Sequence, residues 1–97
     1  MTTGTVTISQ GGTVEKNWWV QNERIVEFQI IMTPSSNIAS GTTVGMGLPS
    51  PAIDGARTQH QNVGHLRIYD GGILKAAKTI TSGTRTVMHG IYISEGE

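Results

Sequence analysis

"LRIYDGGILKA", residues 66–76, decides the fold class. Leu66, Arg67, Ile68 and Tyr69 alternate apolar with polar or amphipathic side chains, the signature of a half-buried strand. Asp70-Gly71-Gly72 then interrupts, and Ile73, Leu74 and Lys75 resume. Asp-Gly tolerates the positive backbone dihedrals of a tight reversal, so the stretch predicts two antiparallel strands joined as a hairpin. Working outward, the same kind of element recurs. "TVTI" at 5–8 is a short strand bounded by glycine, and "TVEKNWWVQN" at 13–22 a longer one. If Val14 sets its inward phase, Trp18 and Val20 face the core while Glu15, Asn17, Trp19 and Gln21 face out.

"RIVEFQIIM" at 24–32 is a second long candidate, with Val26, Phe28, Ile30 and Met32 inward. Ile25 and Ile31 leave its second face only partly polar, so that face is expected to meet another subunit. Thr33 to Arg57 reads mainly as loop, with a short strand near Val44–Leu48. "TVMHGIYIS" at 86–94 closes the chain, with Val87, His89, Ile91 and Ile93 sharing one phase, taken as the core phase of a central or nearly central strand. No amphipathic helix pattern occurs. The expectation is one all-β domain over residues 1–97, an antiparallel β-sandwich or small barrel of about six or seven strands.

Composition agrees with that class and removes several functions. A chain of 97 residues forms one domain that, as a monomer, buries only about 60–65% of its unfolded surface, a thin core that partner copies would thicken. Thirteen glycines, abundant Thr and Ser, and 14% charged residues suit strands and turns. Lys plus Arg and Asp plus Glu number seven each, so no net basic field is present to hold a phosphate backbone, and nucleic acid is not expected as a partner. Cysteine is absent, which removes thiol catalysis, thiolate metal sites and disulfide scaffolds. Neither a signal-peptide core nor a run approaching the roughly 20 apolar residues of a membrane span is visible, so a soluble protein made in a cytosol, without membrane insertion, is expected.

The order "VQNERIVEFQIIM", "GMGLPSPAI", "VGHLRIYDGGIL", "RTVMHGIYIS" resembles the carboxy-terminal head domains of tail-fibre and baseplate receptor-binding proteins of tailed bacteriophages, over roughly Trp18 to Ser94. Asn22 and Glu23 stand at that family's polar turn, Leu48 and Pro49 at its Leu-Pro pair, and Pro51 at its later proline, here more closely spaced. Asp70 and Gly71 stand at its hairpin and Gly90 at the small residue of its last strand. The resemblance implies a homotrimeric, non-catalytic adhesin of a virion tail or baseplate, made in the host cytoplasm, that recognises bacterial surface saccharide and contacts other virion tail proteins. The alternative is a structural virion module, a baseplate or capsid decoration protein whose partners are virion proteins.

A neutral β-domain binds sugar by stacking an aromatic ring on a pyranose and fixing hydroxyls with Asp, Asn, Gln, Arg or His. Trp19, in the outward phase, is the stacking candidate, with packing against a neighbouring subunit or under a loop as its other role. The segment "DGARTQHQN", 54–62, concentrates Asp54, Arg57, His60, Gln61 and Asn62 as the hydrogen-bonding set, or else forms an ordinary solvated loop. Enzyme signals are missing. The carboxylates are scattered without a glycosidase pairing, no nucleophile elbow occurs, and "GTTVGMG" at 41–47 lacks the ending of a phosphate loop. His60, His65 and His89 fit no zinc spacing. His89 is expected to be buried and hydrogen-bonded, or in a trimer to meet its copies on the three-fold axis. No catalytic residue, metal ligand or cofactor is assigned.

Overall fold

A computed structural model describes residues 1–52 and 60–95. Among these, nine strands form in chain order: β1 (Thr2–Gly4), β2 (Thr7–Ile8), β3 (Gly12–Asn22), β4 (Ile25–Pro34), β5 (Thr43–Met46), β6 (His60–Val63), β7 (Leu66–Tyr69), β8 (Ile73–Ala76) and β9 (Thr86–Ile93). They make two antiparallel sheets, one ordered β1-β3-β4-β9 and the other β2-β5-β8-β7-β6. The all-β sandwich expected from sequence is present, with more strands than expected. "TVTI" is split because the chain crosses from one sheet to the other at Thr5-Val6, and 60–62, read as loop, belong to a strand.

The apolar residues explain the layering. Val26, Phe28, Ile30 and Met32 on β4 and Met88 and Tyr92 on β9 face Leu66, Ile68, Leu74 and Ala76 of the opposite sheet, all of them buried. Ile38 and Ile80, also buried, exchange reciprocal backbone bonds of 2.9 Å each and close one end of the core. At the sheet crossing, the Asn17 side chain satisfies the backbone of buried Val6 on both sides. The Val6 N–H donates to Asn17 Oδ1 at 2.7 Å, and Asn17 Nδ2 donates to the Val6 carbonyl at 2.5 Å. This matters because an unpaired buried backbone group costs about 1–3 kcal/mol.

The β3–β4 hairpin turns through Glu23-Arg24, with Glu23 at φ 58. The 66–76 stretch is the hairpin expected, but its reversal is a three-residue 3-10 turn, Asp70–Gly72, that pairs Tyr69 with Ile73. Ser50 ties that turn down. Its hydroxyl donates to Asp70 Oδ1 at 2.8 Å and accepts from the Gly71 N–H at 3.0 Å.

Two expectations about side-chain phase are overturned. In β3 the pairing with β4 shifts between Val14 and Lys16. A β-bulge at Glu15 inserts one extra residue, and every side chain after it changes face. Val14 pairs with buried Met32 on the inner side, but beyond the bulge Trp19 pairs with Phe28 and turns inward, whereas Trp18 pairs with Gln29 on the outer side. Trp19 packs against the core, its indole over Gly4 and its Nε1–H donating to the Thr5 carbonyl at 3.3 Å. Trp18 donates from Nε1 to Gln29 Oε1 at 3.2 Å on the half-exposed outer surface.

In β9 the inward phase is Thr86, Met88, Gly90 and Tyr92. The Tyr92 hydroxyl is satisfied by the Pro49 carbonyl at 2.6 Å, and the ring meets Phe28 edge-on, so the polar tip of an otherwise buried aromatic is paired. Val87, His89, Ile91 and Ile93 face outward instead. His89 is therefore exposed, with Nε2 at 3.0 Å from Glu27 Oε2. β9 is also not central: among the described residues it is an edge strand. Its Ser94 N–H bonds the Arg24 carbonyl on the β4 side, while the Ile93 carbonyl turns away and accepts from Ala52 N–H and Gln61 Nε2. The unbroken β4–β9 register carries this parity back along the strand, so the backbone groups of Val87, His89 and Ile91 point off the sheet.

Of the two residues expected on an intersubunit face, Ile25 is exposed, but Ile31 is already buried within the single chain, between its cross-strand partners Lys16 and Val87. One row of residues, Thr2–Gln21–Val26–Tyr92, runs across all four strands of this sheet near the β3–β4 turn. The first and last strands therefore reach the same end of the sheet.

Candidate functional site

The outer face of the five-stranded sheet brings aromatic, cationic and amide side chains together. Its geometry follows from two hairpins. In β6–β7, joined at Gly64-His65, the register pairs His60 with Tyr69 and Asn62 with Arg67. In β7–β8 it pairs Arg67 with Lys75 and Tyr69 with Ile73. Because Leu66, Ile68 and Leu74 are drawn inward by the core, Arg67, Tyr69, Ile73 and Lys75 must point outward. Thr43 and Met46 of β5 extend the two rows by one strand.

The Tyr69 ring is the centre of this face. The His60 ring lies 4.9 Å away, tilted by 39°, and Lys75 Nζ stands 4.8 Å from the Tyr69 centroid on the diagonal position. A cation at that distance is attracted by the ring's quadrupole. Arg67 Nη2 approaches the Ala77 carbonyl at 3.5 Å, and its guanidinium, like the Asn62 amide, retains hydrogen-bonding capacity toward solvent. The arrangement is a flat, partly aromatic bed bordered by five-donor, three-donor and amide groups. It can hydrogen-bond polar substituents of a ligand, and with Lys75 swung off the Tyr69 ring it can stack a planar or pyranose ring.

The residues expected from sequence divide around this bed. His60 and Asn62 lie on it. Gln61, between them on the strand, points the other way, and its Nε2 donates to the Ala52 and Ile93 carbonyls at 2.6 and 2.7 Å, holding the end of β9. Trp19 is on the other sheet and faces the core, so it is not brought to this site. Asp54 and Arg57 lie outside the described residues. Tyr69, Arg67 and Lys75 were missed. The signal for them is the stretch quoted first: with a three-residue turn, its two arms align Arg67 with Lys75 on the face opposite Leu66 and Ile68.

Among the described residues no group of three or more His, Asp or Glu side chains is placed to hold a metal ion, and no helix is long and apolar enough to cross a membrane. Comparison with family models, with curated proteins and with solved structures finds no match to this chain.

Proposed function

We propose that this chain is a non-catalytic saccharide-binding domain of a host-adhesion protein, of the kind carried on a phage tail fibre or baseplate, working as a homotrimer on the bacterial surface. The observation that carries the saccharide reading is the Tyr69 bed, an outward aromatic ring flanked by His60 and Lys75, with Arg67 and Asn62 on the adjoining row. Aromatic stacking plus a few oriented polar groups is the chemistry by which neutral pyranose faces are held. The phage attribution rests on the order of sequence motifs. The trimer is supported by apolar surface on the other sheet, where Ile25, Val87, Ile91 and Ile93 are exposed together on one face, each 42–60% accessible.

The same apolar face favours the second reading, a structural virion module, because it fits a protein partner as well as another copy. Binding of the isolated protein to a glycan array and to whole cells, beside capture of virion proteins, separates the two. Saccharide binding that falls at least tenfold in Tyr69→Ala, with unchanged thermal stability, supports the adhesin. Binding to virion proteins with no retention on cells or glycans replaces it with the structural module.

A further inference from the structure

The charges of this neutral chain are unevenly placed. None of the five strands of the β2-β5-β8-β7-β6 sheet contains Asp or Glu, whereas His60, Arg67 and Lys75 all project from its outer face. Of the described carboxylates, Glu15 and Glu27 sit on the four-stranded sheet, Glu23 in its hairpin turn, and Glu95 just beyond β9. Asp70, at the end of β7, is held by the Ser50 hydroxyl. The contacts of the described carboxylates follow the same division: Arg85 pairs with Glu15 at 2.6 Å, and His89 Nε2 lies 3.0 Å from Glu27 Oε2, both on the four-stranded side. Arg67 and Lys75 make no ion pair with a described carboxylate, and they are direct cross-strand neighbours. Like charges directly opposite in a sheet are destabilising. Lys75 is drawn over the Tyr69 ring and Arg67 toward a backbone carbonyl, contacts that orient both cations without neutralising them.

We infer that the Arg67–Lys75 pair, beside the Tyr69 ring, is a binding site for an anionic group on a saccharide, so that the ligand of this face is an acidic polymer and not a neutral one. The inference rests on the saccharide-binding reading and narrows it. A sugar ring that displaces the Lys75 ammonium from the Tyr69 face brings a carboxylate or phosphate substituent over the adjoining row. There the guanidinium offers a bidentate fork and the ammonium a point charge. The bound anion supplies the countercharge the sheet lacks, and the Asn62 amide completes the row. Uronate and phosphodiester substituents share this chemistry, and the probes below distinguish them.

The test uses the whole chain with four probes: oligogalacturonate and its methyl ester, and phosphomannan and the same mannan after dephosphorylation. The expected result is at least tenfold tighter binding of one charged probe than of its neutral counterpart at low salt, with the preference shrinking as salt is raised. Arg67→Gln and Lys75→Gln are each expected to abolish that preference. Each is expected to leave the melting temperature of the free protein nearly unchanged, because the repulsion removed offsets the lost ring or carbonyl contact. Which charged probe is preferred identifies the anion. Equal binding of charged and neutral forms, or a preference that survives both substitutions, overturns the inference and leaves saccharide binding standing. Binding of neutral probes alone does the same, and binding of none removes both.

Discussion

Trp18 and Trp19 differ in environment through a single inserted residue, and the consequence is measurable. Trp19 packs on the core over Gly4, so Trp19→Ala is expected to cost about 2–4 kcal/mol in urea unfolding, less than a fully buried aromatic. Trp18→Ala, on the half-exposed outer face, should stay within about 1 kcal/mol. Equal losses in both would contradict the bulge. Tyr92 provides a second test through pH. Burial pushes its phenol well above the ordinary value, so the folded state keeps the proton after the unfolded chain has begun to release it near pH 10. Its contribution is therefore complete below about pH 10 and is lost as pH rises further. Tyr92→Phe should lose about 1 kcal/mol at neutral pH with the bond to Pro49, yet show a weaker decline of stability above pH 10 than the parent.

At the scale of elements, Gly90 joins the two sheets. A Cβ there would collide with Val63 of β6 and crowd the Phe28 ring, so the absence of a side chain allows the edge strands to approach. Gly90→Ala is expected to destabilise by about 1–3 kcal/mol, and Val63→Ala in the same chain to recover about 1 kcal/mol of that. Additive losses in a double-mutant cycle would show that the contact is not limiting. The strands themselves were legible: alternation placed β4 and the 66–76 hairpin correctly, because the core consumes Val26, Phe28, Ile30, Met32, Leu66 and Ile68 in strict period two. Phase failed where that period carries no information. The bulge at Glu15 has no glycine or proline to announce it, and β9 buries Met88 and a hydrogen-bonded Tyr while exposing Val87, Ile91 and Ile93. Its more apolar face by composition is thus the outer one. For the candidate site, His60 and Asn62 were readable as a polar cluster. Tyr69, Arg67 and Lys75 required the register of a hairpin whose turn length the sequence leaves open.

The two outer faces of the whole molecule differ: one sets Arg67 and Lys75 around Tyr69, and the other carries, beside its polar cluster of Trp18, Gln29, Glu27 and His89, an exposed apolar strip of Ile25, Val87, Ile91 and Ile93 along a strand edge that is unpaired among the described residues. Exposed apolar surface beside open backbone groups is a template for association. The homotrimer proposed above is expected to use it, with Ile91→Asp shifting light scattering toward the monomer while leaving urea stability within about 1 kcal/mol. Amide exchange refines the expectation: in the assembled protein Val87, His89 and Ile91 N–H groups should be protected, and in the Ile91→Asp monomer they should exchange rapidly while Met88 and Tyr92 stay slow. A wild-type monomer at tens of micromolar would remove the trimer.

The row Thr2–Gln21–Val26–Tyr92 has a topological consequence. Three strand spacings of about 4.8 Å separate its ends, a gap of about 14 Å that a linker of about five residues spans. The linear order of this fold is thus separable from its architecture. A chain reopened at Gly64-His65 and joined from Glu95 back to Thr2 keeps every strand pair except the direct link of the β6–β7 hairpin. Such a circular permutant should fold to the same two sheets, since exposed two-residue turns tolerate new termini. It would also carry its chain ends beside the Arg67–Lys75 face, where a fused reporter or second domain could be placed next to the proposed polymer site.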